Sequence, residues 1–244
     1  ARERGITAVL VLLWNNYVPG TWGARVAPGH TLTEQQTTAY VTRAVRVFSE
    51  YEPIWAISGD DDLDDAAAVE RYSLAARIVR AEDPEALITW HSTPKARMSS
   101  ALAGSDLLDV YGVQSGHSEG WDTAPTVLAE YYAQQPTPRP VINLEPCYEG
   151  IARYFSRERH RAVDVRRASW RSIVAGAAAG LGYGAHGVWS WHRRGAAFTA
   201  DAEHGTPYPH AIAASFPGAE DAAYIRRIVE GEKLYALTAA PQCL

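Results

Sequence analysis

Along this chain, short runs of apolar and β-branched residues alternate with longer stretches in which apolar positions recur every three or four residues. The short runs GITAVLVLLW (5–14), PIWAISG (53–59), ALITWHS (86–92), LLDVYGVQS (107–115), PVINLE (140–145) and HGVWSW (186–191) predict six strands. Helical spacing follows each of them. Residues 31–50 open on Thr31 or Thr33 as a cap and place Val41, Ala44, Val45 and Phe48 on one face. Residues 65–82 do the same with Ala68, Tyr72, Ala75, Ala76 and Val79. A helix over 123–134 has Pro125 in its first turn, and 159–179 predicts a long helix running into the small-residue stretch AGAAAGLG. A last helix over 219–231 precedes a short strand at KLYAL, 233–237.

Strand followed by helix, repeated, is the pattern of βα units and a parallel sheet. The spacings fit either a doubly wound sheet or a (β/α)8 barrel, and two features favour the barrel. No glycine-rich phosphate loop follows a strand, and polar and aromatic residues gather at the strands' C-terminal ends: LLWNN, ISGDDD, TWHST, VQSGH, NLEP and WSWH. That is where a barrel builds its site. The expected fold class is therefore α/β, a TIM barrel.

The chain has 244 residues, 47% hydrophobic and 21% charged, enough for one large domain or two small ones. A net charge of −5 gives no basic excess for a phosphate backbone, so no nucleic-acid partner is expected. No apolar run approaches membrane-spanning length, and no membrane partner is expected either. Eight Trp and thirteen Tyr against four Phe suit ligands that are half apolar and half wet, as sugars are. Cys147 and Cys243 form neither a disulfide framework nor a metal-ligand spacing. The opening ARERGITAVLVLLW has no initiating methionine and no signal-peptide core with a cleavage site. It reads as the interior of a domain, and leaves the compartment open.

Two carboxylates stand out. Asp60 and Glu145 each fall just past a predicted strand, where they can serve one pocket as the acid and the nucleophile or base of glycosidic cleavage. The plainer reading is a helix-cap aspartate and a salt-bridged glutamate. The remaining aspartates of GDDDLDD (59–65) lack the glycine and terminal glutamate of an EF-hand loop, and suit a helix N-terminus. His91, His117 and His192 also follow strands. A metal-dependent hydrolase would require paired histidines, and no His-x-His occurs, so neither metal nor cofactor is expected. Those histidines suit hydrogen bonds to sugar hydroxyls or to a carboxylate. Trp14 and Trp191, beside Asn15 and His192, are the candidates for stacking on a sugar ring; Trp90 suits the core, and Tyr183 and His186 read as structural. The full expected substrate-binding set is Trp14, Asn15, His91, Gln114, His117, Tyr148, Glu149, Trp191 and His192.

The stretches PIWAISGDDD, DVYGVQSGHS, PVINLEPCYEG and RRASWRSIVAGAAAGLGYGAHGVWSW, in this order, resemble the apiosidase-like glycoside hydrolases. The resemblance covers most of the chain. It implies a TIM-barrel catalytic domain that hydrolyses glycosidic bonds in plant-type polysaccharide, such as apiose linkages in pectin, with net retention. It also implies that Asp60 is the acid/base and Glu145 the nucleophile. That family's barrel opens with strands carrying a Gly-Asp-Thr-type motif, which the chain lacks. The six strands are thus expected to be the third to the eighth, and 1–244 a partial barrel domain with its first two βα units missing and no C-terminal β-sandwich. The alternative is a non-catalytic carbohydrate-binding or inactive barrel fragment.

Overall fold

The computed structural model describes residues 2–98, 100–198 and 202–236. The chain forms two compact units, one of residues 1–112 with 135–140, the other of 113–134 with 141–244.

The first unit is built on three strands, β1 (Val9–Val11), β2 (Ile54–Ala56) and β3 (Ile88–Thr89), joined in parallel in that order. Val9 lies opposite Ile54 and Trp55 opposite Ile88. Trp55, Ile57, Ile88 and Trp90 are fully buried, so apolar side chains fill the region around this sheet. The connecting helices are α1 (Trp22–Val26), α2 (Glu34–Phe48) and α3 (Ala66–Glu82), with α4 (Ser100–Ala103) following β3. Of the two threonines, Thr33 is the cap of α2. Its Oγ1 accepts the Gln36 amide while the Gln36 side chain accepts the Thr33 amide, a reciprocal box that satisfies two otherwise orphaned donors. Asp65 caps α3 by accepting the amides of Ala67 and Ala68. The buried faces are Thr37, Val41 and Val45 on α2, and Ala68, Tyr72, Ala75, Ala76 and Val79 on α3.

In the second sheet the order is β4 (Tyr111–Gln114), β5 (Val141–Glu145) and β6 (Gly180–Leu181), and the β5–β6 pair is parallel. The second unit's helices are α5 (Ala124–Ala133), α6 (Ala162–Val174), α7 (His210–Ala213) and α8 (Gly218–Gly231). Pro125 does sit in the first turn of α5, where its missing N–H costs nothing.

The last strand is not where the alternation of HGVWSW places it. Helix α6 ends at Val174 rather than 179, Gly176 turns the chain at φ +114°, and β6 forms at the end of the small-residue stretch AGAAAGLG. Close approach explains this choice. A Cβ on Gly180 would lie 2.8 Å from Ile142 Cδ1, and one on Gly182 would lie 2.1 Å from the carbonyl oxygen of Leu144. Only glycine lets this segment run against β5. Residues 186–191 instead form turns, with Gly187 at φ +135° and Trp191 at φ +46°. At the other end, Leu234–Ala236 is a 3-10 turn rather than a strand, and Leu237 lies outside the described residues. The architecture is α/β with small parallel sheets.

Candidate active site

In the first unit the ladder continues past the strands as single parallel bridges, Trp14 to Gly59 and Asp61 to Ser92. Asp60 lies between these bridged positions, and its backbone is held on both sides. Its N–H donates to His91 Nδ1 at 3.1 Å, and its carbonyl accepts from Asn15 Nδ2 at 2.6 Å and Trp22 Nε1 at 2.8 Å. These bonds hold a residue whose φ of +55° is the left-handed region that an aspartate tolerates and most side chains avoid. Gly59 suits the place beside it, because a Cβ there would meet Trp14 Cε3 at 2.2 Å and push the ring aside. Trp14 is 42% exposed and its ring lies 6.0 Å from that of His91, whereas Asn15 and His91 are buried. The neighbouring Asp61 is also buried, and burial pushes its carboxyl up to about 6. The buried Tyr72 hydroxyl, on α3, is pushed up as well, by burial first and then by the charges of Asp61 and Asp60.

In the second unit Glu145 is the last residue of β5, and its carboxylate is gripped directly. His117 Nε2 lies 2.8 Å from Glu145 Oε1, and both side chains are largely buried. The other ring nitrogen, His117 Nδ1, accepts the backbone N–H of Tyr148 at 3.2 Å. Gly116 donates its amide to the Glu145 carbonyl at 3.1 Å. The Tyr148 ring packs 4.4 Å from the His117 ring, and it fits because residue 184 is glycine: a Cβ there would lie 2.0 Å from Tyr148 Cδ1. Behind His117, the buried His160 meets the His117 carbonyl through Nε2 at 2.6 Å, and burial lowers His160 to about 4.

The remaining expected residues divide. Glu149 is buried, and its Oε2 accepts from the Tyr183 hydroxyl at 2.8 Å and from the Gly218 amide at 2.9 Å. It therefore caps the first turn of α8, and a Cβ on Gly218 would come within 2.4 Å of that oxygen. Gln114 is buried at the end of β4, and its Oε1 has no partner among the described residues. Trp191 is 62% exposed and stacks on His210 at 4.4 Å and 15°. His192 is buried beneath this turn, its carbonyl accepting from the His210 amide at 2.8 Å. His186, with a fully buried ring, is lowered to about 4 by burial, then by the charge of Arg159. Among the described residues no three His, Cys, Asp or Glu side chains are grouped to hold a metal ion, and no helix is long and apolar enough to cross a membrane.

Two contacts escape a reading based on strand ends. Trp22 reaches Asp60 from the start of a helix, and Tyr183 reaches Glu149 across 34 residues. The aromatic excess is the only signal for Trp22, whereas Tyr183, which reads as structural, holds Glu149 in such a role.

Residues 1–236 match the family model described as apiosidase-like, catalytic domain. No curated protein sequence matches the chain. Among solved structures, one described as a glycoside hydrolase superposes with a TM-score of 0.77 at 23% identity, over 93% of this chain and 52% of its own. A family 5 glycoside hydrolase from Bacteroides vulgatus ATCC 8482 gives 0.76 at 24% identity, over 93% and 49%. A thermostable mutant of a xylanase from Cellvibrio japonicus gives 0.51 at 13% identity, over 91% and 80%. The chain spans about half the length of the first two, and what it shares with all three is the fold.

Proposed function

Because the chain belongs to the apiosidase-like catalytic-domain family, we propose that it forms the catalytic part of a retaining glycoside hydrolase acting on plant-type polysaccharide, with Asp60 as acid/base and Glu145 as nucleophile. The observation that supports this most is shared by the two carboxylates. Each lies at or just past the C-terminal end of a parallel strand and is hydrogen-bonded there to residues at other strand ends. That is the placement of catalytic groups in barrel enzymes. In this reading the six strands are the third to the eighth of a (β/α)8 barrel, in keeping with the fold likeness to glycoside hydrolases.

The chemistry balances with two carboxyl groups and water. Glu145 attacks the anomeric carbon as the glycosidic C–O bond breaks, and Asp60 gives its proton to the departing oxygen. Asp60 then takes a proton from water, whose oxygen displaces Glu145 from the same carbon, so configuration is retained and both groups are restored. Trp14 and Trp191 present exposed aromatic faces suited to sugar rings. Asn15 and His91 beside Trp14, and His192 beside Trp191, supply polar groups for the sugar, as do Gln114 and Tyr148 in this reading, while Glu149 serves the site by holding the chain around it.

The test uses the full-length protein and a glycoside with an activated leaving group. Asp60→Ala is expected to keep most of its bond-breaking step, and with azide to release a glycosyl azide of retained configuration; Glu145→Ala is expected to lose that step. Equal losses with no azide product would overturn the assignment of roles. Undiminished activity in Glu145→Ala would remove the nucleophile. Sugar binding by the unaltered protein without turnover of any glycoside would favour a carbohydrate-binding role.

A further inference from the structure

The hydrogen bonds around His117 define more than a contact. A backbone N–H can only donate, so the nitrogen facing Tyr148 must be the one without a proton, and that nitrogen is Nδ1. The proton therefore sits on Nε2, aimed at Glu145 Oε1. The ring has little freedom to change this arrangement. One side packs on Tyr148 at 4.4 Å, the His204 ring stands edge-on at 5.6 Å, and the backbone carbonyl is tied to His160. His204 is itself anchored through Nδ1 to the Ala152 carbonyl at 2.8 Å.

We infer that His117 is a positioning residue for Glu145: it keeps its proton on Nε2 and uses that hydrogen bond to fix the plane of the attacking carboxylate. This rests on the reading of Glu145 as nucleophile. Of the two uses expected of His117, sugar hydroxyls or a carboxylate, the placement is the second, because both ring nitrogens are engaged by protein groups. A donor aimed at Oε1 favours the ionised carboxylate that attacks, and it sets the angle at which that carboxylate meets the anomeric carbon. The histidine's proton is never transferred. Tyr148 is drawn in through its amide rather than its side chain, so the Pro-Cys-Tyr segment after Glu145 selects the tautomer that orients Glu145.

Two measurements on the full-length protein test this. With histidine labelled by 15N and His117 assigned through its own backbone, the ring is expected to show the Nε2–H tautomer. A ring protonated on Nδ1 alone, or on both nitrogens, would overturn the inference. On an activated glycoside, His117→Ala is expected to slow glycosylation about a hundredfold with KM little changed. His117→Gln can present an amide N–H near the same place, and is expected to recover about tenfold of that loss. Equal impairment of the two variants, or a change confined to KM, would overturn it. The tautomer is read without substrate, so it stands or falls apart from the nucleophile assignment, which Glu145→Ala tests alone.

Discussion

The two units hold their carboxylates in different ways. In the first, the bonds described for Asp60 run to its main chain, from Asn15 and Trp22 to the carbonyl and from the amide to His91. In the second, the grip is on the carboxylate of Glu145 itself. A main-chain clamp places a side chain without spending that clamp on its ionisable atoms, which suits a group that must lose and regain a proton. A grip on the carboxylate suits a group that must keep one orientation while it attacks. The units also differ in which buried groups are shifted. In the first, the Asp61 carboxyl is raised to about 6, and in the second, the imidazoles of His160 and His186 are lowered to about 4.

The largest expected effect comes from glycines that admit these arrangements. Gly182→Ala would drive a methyl group into the Leu144 carbonyl, a backbone neighbour that cannot yield without parting β6 from β5. A loss of about 3 kcal/mol or more in urea unfolding is expected. Gly59→Ala meets only the side chain of Trp14, which can turn away, so about 1–3 kcal/mol is expected. If Gly59→Ala proves the costlier, the clamp on Asp60 is the more rigid of the two. Gly231→Ala, with open space around it, serves as the control.

Acid should separate the units next. An imidazole whose folded value lies below its unfolded one contributes stability above about pH 6.5, and that stability is lost as pH falls towards 4. Asp61 has the opposite sign. Its folded value lies above the ordinary 3.8, so the protonated form favours folding at low pH, and this contribution fades as pH rises through 4 to 6. Amide exchange at pH 7 and pH 5 is expected to show the second unit losing roughly 4 kcal/mol of protection, about 2 from each imidazole, while Asp61 adds roughly 1 kcal/mol to the first. Equal losses would break the comparison. Asp61→Asn, which can still accept the Leu63 amide, is expected to stabilise the protein by roughly 1–2 kcal/mol at pH 7 and by nothing near pH 4. Smallest of all, Trp191→Ala should change stability by about 0.5 kcal/mol or less, because the ring is mostly exposed, while raising KM if sugar stacks there. An experimental structure of the full-length protein sharpens the picture further: a retaining pair requires the two carboxyls about 5–5.5 Å apart.

What the sequence made legible is what short-range physics decides. Although Phe48, placed on one face of α2 with Val41 and Val45, is 43% exposed, a threonine cap for α2, the acidic start of α3, the buried Val41 and Val45, the buried face of α3 and the strand ending at Glu145 are local patterns and were readable as such. The last strand was not, because its signal is a lack of side chains: Gly180 and Gly182 are chosen by the closeness of β5, which no local window displays. HGVWSW carries the right alternation, yet left-handed φ values at Gly187 and Trp191 curl it. At the site, the positions of Asp60 and Glu145 relative to strands were readable. Of their partners, His117 was readable as a histidine after a strand suited to bond a carboxylate, whereas Trp22, 38 residues from Asp60, was visible only as part of the aromatic excess.

The carboxylate of Glu149 joins the segment after β5 to a hydroxyl 34 residues later and to an amide 69 residues later. Contacts of such separation in the chain form late, since the intervening loop must close before they contribute anything. During synthesis, the segment that presents Glu145 and the amide of Tyr148 leaves the ribosome well before the head of α8 exists. Until that helix arrives, the Glu149 carboxylate has the Tyr183 hydroxyl at most and lacks the Gly218 amide, in a region bound for burial. The order of translation thus makes this corner of the molecule late to mature and dependent on α8 being made.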